Sequence, residues 1–269
     1  MYQLDLFRHL PAPADPPSSG ASTRPVIAPG TLKDEELLVA LPCAGIADSI
    51  ALAAEAGRRR MTGAVPALEA LCRRFAGFGV DWIVPEQAAA VDALREIAGS
   101  AAARALARLI AKKIVQGPCL QQTIAAAAGL GAKLPASAVM DLLCHDDPQV
   151  RAEACGFAQP LPEIVARLRD LLDDLHRPVR LAAVCALGRM GRDDVRLLLA
   201  RYLREEPSAR LIDAVAPVAD EDCVILLGRI ARTIPHLAEA AIDALETIDH
   251  PRAARIAAEM RVSPTTGNS

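Results

Sequence analysis

Five prolines, Pro118, Pro148, Pro178, Pro207 and Pro235, stand about 28 to 30 residues apart, each at or next to the start of an apolar, helix-period segment. Proline suits that place because the first turn of a helix offers no partner for the N–H it lacks. A fixed period of this length means one supersecondary unit repeated along the chain. The clearest copy is Pro178–Glu206. Val179, Ala182, Ala183, Ala186 and Leu187 recur at helical spacing and predict one apolar stripe. Gly188 and Gly191 are expected to end that helix. Asp193 and Asp194 open a second helix, where acids suit the positive end of the macrodipole, and Val195, Leu198, Leu199, Tyr202 and Leu203 form its buried side. One hairpin alone leaves both stripes in water, so it needs copies on either side. The expected fold is all-α, a stack of about seven helix pairs over residues 31–262.

VRAEACGFA at Val150–Ala158 repeats the VRLAAVCALG of Val179–Gly188, and LAEAAIDAL at Leu237–Leu245 repeats it more loosely. Ala64–Leu71 and Glu86–Ala111 fit the same pattern. The pattern VRxAAxxALGxxG, followed by an acid-rich turn and a Leu-rich helix, resembles the short HEAT-like repeats of phycobilin lyase subunits and many bacterial scaffold proteins. The resemblance runs from about Ile46 to Arg261 and implies an α-solenoid whose second helices line a concave side. Two places depart from it: Gln159-Pro160-Leu161-Pro162 replaces the Gly turn, and Pro217 interrupts a first helix. Those hairpins are expected to be bent or shortened.

Aromatic residues are only 3% of the chain, and alanine dominates the stripes. Alanine-lined helices pack closely, which favours stacked helices over a body with a deep cavity. A formal charge of −3 argues against a strongly basic nucleic-acid binder, so direct nucleic-acid contact is expected to be weak or absent. The seven cysteines are scattered singly with no CxxC pair, which predicts free, mostly buried thiols in a reducing cytoplasm rather than disulfides. Neither an export signal nor an apolar run near 18 residues is present, so a cytoplasmic, non-membrane protein is expected.

Residues 1–30 combine MYQLDLFRHL with a Pro/Ser/Gly/Ala tract and are expected to be a disordered tail, as is the polar stretch 263–269. Gln3-Leu4-Asp5-Leu6-Phe7 matches the QL(S/D)LF consensus of peptides that bind the bacterial replicative sliding clamp. The resemblance implies that Gln3 hydrogen-bonds at the rim of a cleft, Leu4 and Asp5 set the register, and Leu6 and Phe7 fill the deep pocket. The clamp is thus one expected partner. The alternative is that Leu4, Leu6, Phe7 and Leu10 form a short helix covering the open end of the stack. The proline-rich spacer of about 20 residues would reach roughly 25 Å if flexible.

Thr31 is expected to cap a first helix ending before Pro42. Arg58-Arg59-Arg60 and Arg73-Arg74 sit at helix C-termini, where the dipole favours them or where they would form a phosphate-facing patch. Gly77–Val84 is an irregular link whose Trp82 is expected to fill the space between repeats. In Cys144-His145-Asp146-Asp147 the cysteine is expected to be buried and the acids to cap the helix at Pro148. The second helices carry Arg167, Arg169, Arg196, Arg201, Arg229 and Arg232, which would form either an arginine-rich trough for an acidic partner or, with the interspersed acids, a mixed solvated face. No GxSxG motif, phosphate loop or metal-ligand spacing is present, so no enzyme, metal or cofactor is expected. The leading expectation is a non-enzymatic adaptor tethered to the sliding clamp and presenting its repeats to a second protein. The others are a scaffold without a clamp link and a helical-repeat lyase or DNA-glycosylase-type module.

Overall fold

The structure is a computed structural model and describes residues 28–262. Among the described residues are fifteen α-helices and no strand, and the fold is all-α. The helices are α1 (Asp34–Cys43), α2 (Ile46–Arg58), α3 (Val65–Arg74), α4 (Pro85–Ile97), α5 (Gly99–Ala111), α6 (Gly117–Gly129), α7 (Ala136–Leu143), α8 (Pro148–Ala154), α9 (Pro162–Asp170), α10 (Arg177–Arg189), α11 (Arg196–Glu205), α12 (Ala209–Val215), α13 (Glu221–Thr233), α14 (Pro235–Thr247) and α15 (Pro251–Val262). Seven pairs, α2/α3 through α14/α15, follow the single helix α1.

Each even-numbered helix packs on the next even-numbered one, from α2 to α14. The odd-numbered helices form a second layer in the same way, thinning at the α9–α11 step. The substantial helix–helix contacts all join α-helices at most two apart in the chain, the contact order of a repeat protein and one compatible with a solenoid. Between the layers the buried side chains form one continuous apolar cluster from Leu37 to Ala257. Val179, Ala182, Ala183, Ala186 and Leu187 are all in it, as the stripe predicts.

Local chemistry explains the boundaries. Proline occupies the first turn of α4, α6, α8, α9, α10 and α14. The side chains of Asp147, Ser208 and Asp220 accept hydrogen bonds from first-turn N–H groups of α8, α12 and α13. Gly191 follows α10 at φ +70, where a Cβ would be strained. The two hairpins carrying proline interruptions are shortened as expected: α8 and α12 have seven residues each and continue as single 3-10 turns at Cys155–Phe157 and Ala216–Val218.

Three expectations are corrected. Gly188 lies inside α10, fully buried, because α12 and α11 press on it there: a Cβ would stand 2.4 Å from the Ala214 carbonyl oxygen and 2.6 Å from Leu199 Cδ1. Thr31 does not cap α1; its hydroxyl donates to the Ala28 carbonyl, and the Glu36 carboxylate accepts from the Lys33 N–H at the helix start. That helix runs past Pro42 to Cys43, with the missing N–H falling in its last turn.

Polar side chains tie each pair to the next. Gln121 of α6 donates to Asp147 at 2.6 Å, Arg151 of α8 pairs with Asp174 at 2.9 Å, and Arg177 of α10 pairs with Glu206 at 2.8 Å. In each case a side chain of a first helix reaches an acid lying just before the next first helix. The Arg151–Asp174 pair is largely buried, and Arg151 also donates to the carbonyls of His145 and Asp146. No helix among the described residues is long and apolar enough to cross a membrane.

Candidate interaction site

The residues Gln3, Leu4, Asp5, Leu6 and Phe7 lie outside the described residues, as do the stretches 1–27 and 263–269. The arginines of the second helices are described. Arg167 donates to the Leu143 carbonyl from Nε and Nη2, closing the C-terminus of α7, and lies 3.8 Å from Asp170. Arg169 pairs with Asp194 at 2.9 Å, Arg196 with Asp220 at 3.1 Å, and Arg201 with Glu205 at 3.0 Å. Arg232 stands 3.8 Å from Glu259, and Arg229 is exposed. These side chains therefore share their surface with carboxylates at short range.

The other basic clusters are likewise engaged. Arg58 and Arg59 grip Glu55, with Arg58 first among the causes that hold its carboxyl down at about 2. Arg59 also reaches Asp34 and the carbonyls of Pro29, Gly30 and Leu32, fastening the first described segment to α2. Arg108 and Arg73 converge on Glu69 at 2.6 Å each, and the Arg108 hydrogen bond leads in keeping that largely buried carboxyl below its usual range, against the opposing effect of burial.

Five thiols, Cys72, Cys119, Cys155, Cys185 and Cys223, are buried, whereas Cys43 and Cys144 are exposed. The exposure of Cys144 corrects the expectation of a buried thiol: it follows the last residue of the short helix α7 and falls outside its apolar stripe. Of the neighbouring acids Asp147 is the cap, accepting from the Gln149 N–H at 2.8 Å, while His145 Nδ1 accepts from the Asp147 N–H. Among the described residues no group of three or more His, Cys, Asp and Glu side chains is placed to hold a metal ion.

The feature missed from sequence is the link between α3 and α4. Phe78, Val80, Trp82 and Ile83 are each 58–60% exposed there, so Trp82 is not the core filler expected of it. Full burial of a large apolar side chain is worth ~1.5–3 kcal/mol, and this segment forgoes much of that four times over. Its backbone is nevertheless firmly held. The buried Gln87 amide donates from Nε2 to the carbonyls of Cys72, Phe75 and Ile114, joining the end of α3, where the link begins, to the segment after α5, and the Phe78 N–H donates to the Phe75 carbonyl. Gly79 at φ +82 packs under Val84, and Gly117 lets the Val80 carbonyl approach so closely that a Cβ would lie 2.1 Å from it. The sequence signal was the absence of periodicity: glycines at 77 and 79 interrupt any stripe that would carry these side chains inward.

The link forms a ridge between two hollows. One, of about 500 Å³, has an apolar floor including Val80, Ile110, Leu120 and Leu142 and a rim of Lys113, Asp141, Asp146 and Asp147. The other, of about 370 Å³, is lined by Phe75, Phe78, Trp82 and Ile83 with Arg74 and Glu86 at its edges. Compared with models of protein families the chain matches none, and a search of curated proteins finds no match.

Proposed function

We propose that this chain is a non-enzymatic helical-repeat adaptor, HEAT-like in its repeats, that docks on the bacterial DNA sliding clamp through Gln3-Leu4-Asp5-Leu6-Phe7 and presents its helical body to a second protein. The observation that carries the reading is that pentapeptide, complete at every consensus position and followed by a proline-rich spacer before the first described helix. Two anchors, Leu6 and Phe7, would dominate the affinity, as a few buried side chains do in small interfaces. Tethering then raises the local concentration of whatever the body holds, so two weak contacts act together. Arginines interleaved with Asp194, Asp220, Glu205 and Glu259 suit a charge-paired protein surface better than a nucleic-acid backbone, whose binding needs unneutralised cations.

The test is a fluorescent peptide of residues 1–12 titrated with purified sliding clamp beside its Leu6→Ala/Phe7→Ala counterpart. Saturable binding by the first alone is expected; equal binding by both, or none by either, rejects the clamp link. A scaffold working without the clamp is the second reading, and the exposed apolar ridge at Phe78–Ile83 favours it, because that surface is offered by the helical body itself.

A further inference from the structure

We infer that the ridge at Phe78–Ile83 and the hollow beside it form a docking site for a basic amphipathic segment of a partner protein, with apolar side chains entering the hollow and Lys or Arg side chains along its acidic rim. This inference does not depend on the clamp reading.

Three observations carry it. Four large apolar side chains are exposed on a link only a few residues long, Val80 toward the acid-rimmed hollow and Phe78, Trp82 and Ile83 toward the second, a local concentration that marks an interaction surface rather than scattered exposure. The link is seated by the Phe78 N–H bond to the Phe75 carbonyl and by the close approach of the Gly79 and Val80 carbonyls to Gly117, so a partner meets a surface that is already ordered. The chemistry of the rim then selects the partner. Three carboxylates, Asp141, Asp146 and Asp147, face one ammonium, Lys113, which is taken up by Asp141 at 2.8 Å. Asp147 is committed to Gln149 and Gln121, and Asp146 is exposed. Asp81 adds another exposed acid on the ridge itself. The second hollow carries one charge of each sign, Arg74 and Glu86, and so leaves the preference to the acidic rim. Apolar anchors with cations beside them satisfy both floor and rim; an acidic amphipathic segment would meet like charge.

Trp82 is the only tryptophan in the chain and lies on the ridge, on the side of the second hollow, so its emission reports a partner that covers the ridge. The full chain is titrated with an 18-residue Leu/Lys amphipathic helix free of Trp and Tyr, and separately with its Leu/Glu counterpart. The expected result is a saturable blue shift with the Leu/Lys peptide and an affinity at least about tenfold weaker for the Leu/Glu peptide. Val80→Asp should abolish the shift, and Asp146→Lys should weaken Leu/Lys binding about tenfold, with circular dichroism unchanged in both since each side chain is exposed. Equal affinity for the two peptides, no shift with either, or an Asp146→Lys chain that binds as before overturns the inference. Two further outcomes also overturn it. A blue shift that grows with chain concentration alone assigns the ridge to a second copy, and displacement of the Leu/Lys peptide by a peptide of residues 1–12 assigns it to the chain's own N-terminal segment.

Discussion

Replacing Gly188 by alanine sets two effects of opposite sign against each other. In a helix interior, alanine is favoured over glycine by ~0.8–1 kcal/mol. At this position, however, the added Cβ would stand 2.4 Å from the Ala214 carbonyl oxygen and 2.6 Å from Leu199 Cδ1, where ordinary contact begins at 3.4 Å. Leu199 can rotate, but the carbonyl belongs to the backbone of α12, so α10 and α12 must separate by about 1 Å along a close-packed face. Overpacking of this kind costs about 1–3 kcal/mol or more, which exceeds the propensity gain and leaves Gly188→Ala destabilised by about 1–2 kcal/mol. Gly129, the last residue of α6, has nothing within 4 Å of its would-be Cβ, so Gly129→Ala keeps a gain of up to ~1 kcal/mol. In thermal unfolding followed by circular dichroism, a chain of this size moves by roughly 2–4 °C per kcal/mol. Gly188→Ala should therefore melt lower by about 2–8 °C and Gly129→Ala should melt level or slightly higher. Opposite signs for one chemical change are the readout, which does not require two-state unfolding. If Gly188→Ala raises the melting temperature as Gly129→Ala does, α10 and α12 do not touch at this point and the stacking of first helices is wrong.

Thiol reactivity should divide cleanly: with an aromatic disulfide reagent at pH 8, Cys43 and Cys144 react at once, and the other five respond only after denaturant is added. More than two fast thiols in the native chain would contradict the buried assignments. Stability should fall at both ends of the pH range. Glu69, held low chiefly by Arg108, and Asp220, held low chiefly by the Cys223 N–H, have depressed folded values, as does Asp174, where the His176 N–H and Arg151 outweigh burial. Their stabilisation is complete above the unfolded carboxyl range of about 4 and is lost as pH falls through the folded values. Burial pushes Cys72 and Cys155 up to about 12 and Cys223 to about 11, so stability contributed by the neutral thiols is present below about pH 8.5 and declines as pH rises beyond it. Urea midpoints that stay flat from pH 5 to 2.5, or from 8.5 to 10.5, would contradict these assignments.

The period of the prolines and the stripes of Pro178–Glu206 were enough to place the helix pairs, because a helix in a repeat array is decided by local pattern and its nearest copies. What eluded the sequence depended on distant partners. Gly188 carries the same local signature as a helix-ending glycine, and only α12, more than twenty residues further on, turns it into a close-approach position. Gln87, a polar first-turn residue with no signal in its local pattern, is fully buried and gathers three carbonyls from the end of α3 and the segment after α5. Residue type alone suggests burial for Trp82, whereas the positive-φ glycines at 77 and 79 and the close approach of the link to Gly117 decide which way it faces. The second-helix arginines were visible in the sequence, but their ion pairs to acids such as Asp194 and Asp220 follow from packing between successive pairs.

The measurement that bears most directly on the adaptor reading is the affinity of the full-length chain for immobilised bacterial sliding clamp at physiological salt, with Leu6→Ala/Phe7→Ala as its partner experiment. Saturable binding that weakens at least about tenfold in the double variant, with an unchanged helical spectrum, is the predicted result. Binding that survives the double substitution, or no binding by the unaltered chain, would contradict it.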